Sequence, residues 1–179
     1  MATIDSLRRQ PDIQDYASTS QFRVTLGNFP LTEWFCTTLT LPGISLGTVD
    51  ISTPLAMVPS VGDTLVYENF DMTFLVDEEL KNYQEIHDWM VNIGFPYSHK
   101  QFMAKERVDQ MGVRGGDSLM SDMSITILSS HNNPKLHVNI HDAFPVSLSG
   151  LTYTTQDVDA TYLTADVSFA YLYYDFKSV

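Results

Sequence analysis

One stretch, Phe70 to Pro96, constrains the fold of this chain more than any other: FDMTFLVDEELKNYQEIHDWMVNIGFP. It reads as a strand, a helix and a stop. Phe70, Met72, Phe74 and Val76 fall on one face of a period-2 ribbon, with Asp71 and Thr73 on the other. Asp77 stands where an N-cap is expected, and Glu78 and Glu79 would sit in the first turn, near the positive end of the helix dipole. Gly94 and Pro96 place the helix end near Ile93, so the spacing predicts a helix over 78–93. Leu80, Tyr83, Ile86, His87, Met90 and Ile93 share one side, flanked by Trp89 and Val91. That apolar arc is wider than the stripe one sheet face covers. It predicts a helix held between its own sheet and a neighbour, with Tyr83, Ile86, Trp89 and Met90 as the subunit-interface candidates.

The rest of the chain alternates as strands do. Phe22, Val24 and Leu26 point one way, and Gln21, Arg23 and Thr25 the other. A second strand is expected from Trp34 to Leu41, stopped by Pro42-Gly43, and a third near Leu46–Ser52. Pro54, Pro59, Gly62 and Asp63 mark residues 53–64 as loop. Beyond the helix, alternation returns at Ser121–Leu128 and at Leu136–His141. A short strand is expected over 151–156 and a long one over Thr161–Phe176. One face of that last strand turns from polar (Thr164, Asp166, Ser168) to apolar (Leu172, Tyr174, Phe176), as in a strand covered on both sides. One helix among many strands predicts an α+β fold: an antiparallel sandwich or barrel with one main helix packed on it. Residues 1–19 read as an N-terminal arm and 20–179 as a single domain.

Charge and chemistry narrow the function. The 179 residues carry a net charge of −12, opposite in sign to what phosphate neutralisation requires. The acidity serves either solubility or a surface that does not hold DNA. Within the long loop 97–117, Lys100, Lys105, Arg107 and Arg114 outnumber Glu106, Asp109 and Asp117, making it a basic island. These four are the candidates for an inter-ring or baseplate contact. Cys36 is the only cysteine, which excludes an internal disulfide and a thiolate zinc site. His137 and His141 share a strand face but stand ~13 Å apart, too far to share one metal. His87 is expected to be packed in the helix arc. Gly112 to Gly116 lacks the lysine and hydroxyl residue of a phosphate-binding loop. The sequence therefore points to no catalytic, cofactor or metal site, and to a protein that is not an enzyme. No apolar run is long enough to span a membrane.

The run NFDMTFLVDEELKNYQEIHDWM resembles the strand–helix unit of the tail-tube family of contractile-tailed bacteriophages, through Asn82-Tyr83 and Asp88-Trp89. The end of the chain, with Val167 to Tyr171 at its centre, resembles the closing segment of the same family, and Leu41-Pro42-Gly43 fits its early strand. The resemblance implies a structural virion protein forming a hexameric ring, with the sheets of all copies joining across subunits around a channel. Such a ring belongs to the tail tube or to the tube initiator at the baseplate–tube junction. It implies adjacent tube or baseplate rings and a sheath protein as partners, DNA passing through the lumen without specific binding, and assembly in the host cytoplasm. Two alternatives remain open on the sequence: a ring of a type VI or pyocin-like injection machine, and a small-ligand-binding β-sandwich.

Overall fold

The computed structural model describes residues 16–27, 32–33, 35–94, 120–155 and 162–178. The strands are β1 (Phe22–Leu26), β2 (Cys36–Thr40), β3 (Ile44–Ser52), β4 (Met57–Tyr67), β5 (Phe70–Leu75), β6 (Ser121–Leu128), β7 (Pro134–Leu148), β8 (Thr164–Ala170) and β9 (Tyr173–Ser178). The one long helix among the described residues, α1, spans Lys81–Gly94.

Two antiparallel sheets share the fifteen-residue strand β7. Its first half lies between β6 and β9, and β1 pairs with the far side of β6. Its second half pairs with β8, which leads to β5 and then β2. The change of sheet occurs at Asp142, where φ is 55°. The chain opposite bends at the same level, and Leu172 N–H donates to His141 C=O at 3.1 Å. The long final strand expected from Thr161 to Phe176 is therefore two strands, because it follows the corner made by its partner. The two sheets form a folded sandwich, and within one chain they do not close into a barrel.

The core lies between the sheets. It comprises Val24 and Leu26 of β1, Met123 and Ile125 of β6, and Val138, Ile140 and Ala143 of β7 on one side. Phe70, Met72 and Phe74 of β5 and Ala165, Val167 and Phe169 of β8 face them, with Ile86 and Trp89 from the helix. The period-2 reading of β1, β5, β6 and β8 is the reading the core follows, because the buried apolar side chains of each of these strands lie on one face.

The helix begins later than the sequence pattern suggests. Leu80 takes φ 58°, and its carbonyl accepts the first helical bond, from Gln84 N–H at 2.9 Å. Asp77 is not the cap: its side chain accepts from Glu78 N–H at 2.9 Å in a turn before the helix. Glu78 and Glu79 lie in that turn too. The start is set instead by Asn82, which is fully buried. Its Oδ1 accepts from Tyr83 N–H at 2.8 Å and from Asp77 N–H at 3.2 Å, and its Nδ2 donates to Leu75 C=O at 2.7 Å. The buried stripe is consequently Asn82, Ile86 and Trp89, with Tyr83, Met90 and Ile93 half-buried beside it. His87 falls on the exposed side, with Nδ1 3.2 Å from Asp88 Oδ1, and is not packed in the core.

Two further expectations are corrected. Leu151–Thr155 forms no strand. Residues 53–64 are largely not loop: Met57–Tyr67 is a strand that pairs with β3 in a separate two-stranded sheet. Only Thr53 to Ala56 is the turn, closed by Thr53 N–H on Ala56 C=O at 3.1 Å. Pro59 is tolerated because a two-stranded sheet has an open edge beside each strand. Gly62 marks a register shift, where an added Cβ would collide with the Gly47 carbonyl oxygen.

Candidate assembly surfaces

The β3–β4 hairpin stands away from the core. Every residue of β3 is exposed, and so is most of β4. Consecutive residues of a strand point to opposite faces. Met57 and Val58 are exposed at 64% and 47%, and Leu65 and Val66 at 47% and 53%, so both faces of this ribbon are apolar and uncovered. Val49, Ile51 and Leu46 add to them. An isolated two-stranded hairpin is at best marginally stable in water.

What holds the hairpin is its root. Glu68 N–H donates to Gly43 C=O at 3.0 Å, and Tyr174 O–H donates to Pro42 C=O at 3.3 Å. The Tyr67 ring meets Tyr171 and Tyr174 edge-on, with centroids 5.9 and 5.7 Å apart. Burial, and then the nearby Tyr174, Tyr67 and Glu68, push the Tyr171 phenol up to about 12. The hairpin is thus moored to the start of β9, where Leu172, just before the strand, and Phe176, within it, are themselves more than half exposed. The apolar end of the closing segment, read from sequence as covered on both faces, is uncovered in the single chain.

A second surface is polar. On the outer side of β2, β5, β8 and β7, the register builds two rows. Thr40, Asp71, Ser168 and Ser147 make one. Thr38, Thr73, Asp166 and Ser149 make the other, tied by Thr73 Oγ1 donating to Asp166 Oδ1 at 2.7 Å and Asp166 N–H donating to Ser149 Oγ at 2.8 Å. All eight side chains are hydroxyls or carboxylates. They line a shallow groove of about 370 Å³. The outer face of the other sheet differs: register aligns Arg23, Thr126, His137 and Lys177 across β1, β6, β7 and β9. His137 is engaged with Thr126 at 2.9 Å, and His141 with Asp175 at 3.0 Å, so the two are held by separate partners.

The interface candidates of the helix divide. Ile86 and Trp89 are buried in the core of their own chain, with Trp89 6.0 Å from the Phe169 ring. Tyr83 is half-buried and donates to Ser149 C=O at 3.1 Å, and Met90 is half-buried. Lys100, Lys105, Arg107 and Arg114 lie outside the described residues. Among the described residues no group of three or more metal-ligating side chains comes together. Cys36 is half-buried, and burial pushes its thiol up to about 11, against a backbone hydrogen bond to Thr38 that lowers it. At neutral pH it is a protonated thiol, which is a poor nucleophile. The hairpin was missed in the sequence because its prolines and glycines read as loop; the clue was the apolar content of Met57–Tyr67.

A family model described as phage tail tube protein matches residues 13–177. The fold is similar to that of a chain of the PVC sheath/tube terminator of an extracellular contractile injection system in its extended state, with a TM-score of 0.61, 14% identity, and coverage of 92% of this chain and 99% of that one. It is similar to the tube-terminating cap of the anti-feeding prophage, with a TM-score of 0.59 and 14% identity over 100% of both chains. A chain of the six-fold symmetrised anti-feeding prophage baseplate gives 0.58 and 9% identity over 92% and 97%. No curated protein matches it.

Proposed function

The chain belongs to the phage tail tube protein family, and from that premise we propose that it is a non-enzymatic ring subunit of a contractile phage tail. Six copies join their sheets around a channel, either in the tube itself or at its start on the baseplate. DNA leaves the capsid through that channel. Adjacent tube or baseplate rings are its axial partners and the sheath lies outside. The particle assembles in the host cytoplasm. The basic residues Lys100, Lys105, Arg107 and Arg114 meet an acidic surface of the next ring.

The observation that carries this reading is the β3–β4 hairpin, apolar on both faces and outside the core of its own chain. Such a ribbon is ordered when a neighbour covers it, and homotypic assembly supplies one at every position. The open edges of β1, β2 and β9 among the described residues support the same reading, because strand pairing between copies closes them. Light scattering of the purified protein, with negative-stain microscopy, tests it. The expected result is a ring with the mass of six chains. A monodisperse monomer at all accessible concentrations overturns it. The likeness to injection-system chains favours a second reading, a ring of such a machine with protein cargo. DNA-containing particles that carry the protein distinguish the first from the second.

A further inference from the structure

The cations of the described residues are unevenly placed. They are Arg23, Lys81, Lys135 and Lys177, and all but Lys81 belong to the sheet of β1, β6, β7 and β9. Lys81 pairs with Glu79, and Arg23 lies 4.0 Å from Glu33. Lys177 stands opposite His137 on the outer face. Lys135 stands at the bulge where that row ends, between Leu136, opposite Ile127, and Pro134, opposite Leu128. Both lysines are exposed, and neither has an ion-pair partner among the described residues. The carboxylates of the same face are engaged at its other end. Asp175 Oδ1 lies 3.0 Å from His141 Nε2, and Asp122 Oδ1 accepts from Asp142 N–H at 3.1 Å. The lysine end of the face is therefore a basic patch without a counter-charge of its own. The chain exposes the complement elsewhere: Glu78 and Glu79 are exposed in the turn before α1, next to Asp77, and Lys81 answers Glu79 alone. Patch and turn do not meet within one copy. Lys135 is near the start of the fifteen-residue β7, whereas the turn lies by Ser149, just past its end, where Tyr83 O–H donates to Ser149 C=O at 3.1 Å. Even bent at Asp142, a strand of that length keeps the two far beyond ion-pair reach.

We infer that the patch of Lys135 and Lys177 docks the Asp77-Glu78-Glu79 turn of a second copy of this chain. The inference rests on the ring reading above and adds which surfaces of neighbouring copies meet. Copies that each carry a net charge of −12 repel one another. A contact between them forms where the local charges are opposite, and like charges set against each other disfavour other registers. Patch and turn are different surfaces, so each copy offers one and receives the other. Such a head-to-tail contact repeats around a closed ring or runs on along a stack. A single exposed ion pair contributes little, and repetition in every copy gives the contact its weight. A nucleic acid is a poor occupant of the same patch, because two lysines release few counterions and the rest of the chain repels a polyanion.

The test uses the full native chain, prepared in a light and a heavy isotopic form that are mixed before assembly. A water-soluble carbodiimide then joins lysine amines to carboxylates in contact, and mass spectrometry reads the joined peptides. The expected products link Lys135 or Lys177 to Asp77, Glu78 or Glu79, include light–heavy pairs, and are absent from the dissociated subunit. Products confined to one copy, products that join these lysines only to other carboxylates, or none at all overturn the inference, as does protection of the lysines by added DNA with no effect of assembly. A second arm reverses charge. Lys135→Glu with Lys177→Glu should raise the concentration needed for assembly by about ten-fold or more, and so should Glu78→Lys with Glu79→Lys. The four changes together should restore assembly, and assembly of the native chain should weaken with salt. These side chains are exposed, so the urea midpoint of each subunit should stay near the native one. Native-like assembly of either double variant, or no recovery in the fourfold variant while its subunit stays folded, overturns the inference. A variant that does not fold leaves the cross-linking of the native chain to decide. Failure of the native chain to form rings removes the ring reading itself and is seen separately, in the mass.

Discussion

Asn82 joins three backbone groups through one buried amide: the end of β5 at Leu75, the turn at Asp77 and the first turn of the helix at Tyr83. Truncating it strands one carbonyl and two N–H groups away from water, and a buried polar group left unpaired costs about 1–3 kcal/mol. Asn82→Ala should therefore lower the unfolding free energy of the isolated chain, read from urea titration, by an amount in that range, with the far-UV spectrum retained. Glu85 gives a second residue-level expectation. Burial raises its carboxyl above the ordinary 4.5, and a hydrogen bond with Thr32 offsets part of that. The folded chain then binds this proton more tightly than the unfolded chain does. Its contribution is present in full below pH 4.5 and is lost as pH rises through the raised value. Glu85→Gln should keep that contribution as pH rises through the raised value, so the difference in urea midpoint between variant and native chain should grow with pH above 4.5. A difference that stays constant with pH contradicts the assignment.

At the scale of elements, legibility followed burial. β1, β5, β6 and β8 were readable because each puts its buried apolar side chains on one face, and a period of 2 then appears in the letters. The helix was readable as an element, yet its start was not. Asp77-Glu78-Glu79 carries a strong local capping signal, whereas the structure uses Asn82, whose partners Leu75 and Asp77 become near only when β5 and the helix pack. The left-handed Leu80 that makes the turn has no marker in sequence, since a leucine there is strained unless packing enforces it. The late start also rotates the stripe, so Trp89 is central and His87 outside. Trp89 is only 8% exposed and packs against Phe169, so its burial is spent within the chain. Trp89→Ala should cost about 3–5 kcal/mol of fold stability, read as a lowered thermal midpoint of the dissociated subunit. A normal midpoint with failed assembly would return Trp89 to the interface. The bend that splits β8 from β9 was unreadable too, because it belongs to β7, where Asp142 turns the sheet.

At the scale of the whole molecule, the candidate site was only partly legible. The absence of cations from the polar face is visible in the letters of β2, β5 and β8, but which strands lie side by side is not. The hairpin was hidden by Pro54, Pro59 and Gly62, which mean loop in a compact domain and are harmless in a free ribbon. Its exposure makes a prediction about the assembled particle. Replacing Ile51, Met57 and Val58 together by Thr keeps a strand-forming side chain at each position and removes apolar surface from both faces. These side chains are exposed in the single chain, so the urea midpoint of the subunit should stay near that of the native chain. In a ring each would be covered by a neighbour, and burial contributes about 0.8 kcal/mol per CH₂. Several such groups in every copy would shift association strongly, because each contact is repeated around a closed ring. Sedimentation should then find the triple variant as folded subunits at concentrations where the native chain is fully assembled. If instead the variant forms rings that stack poorly, the hairpin joins one ring to the next. Normal rings that also stack normally would show that the ribbon carries neither contact.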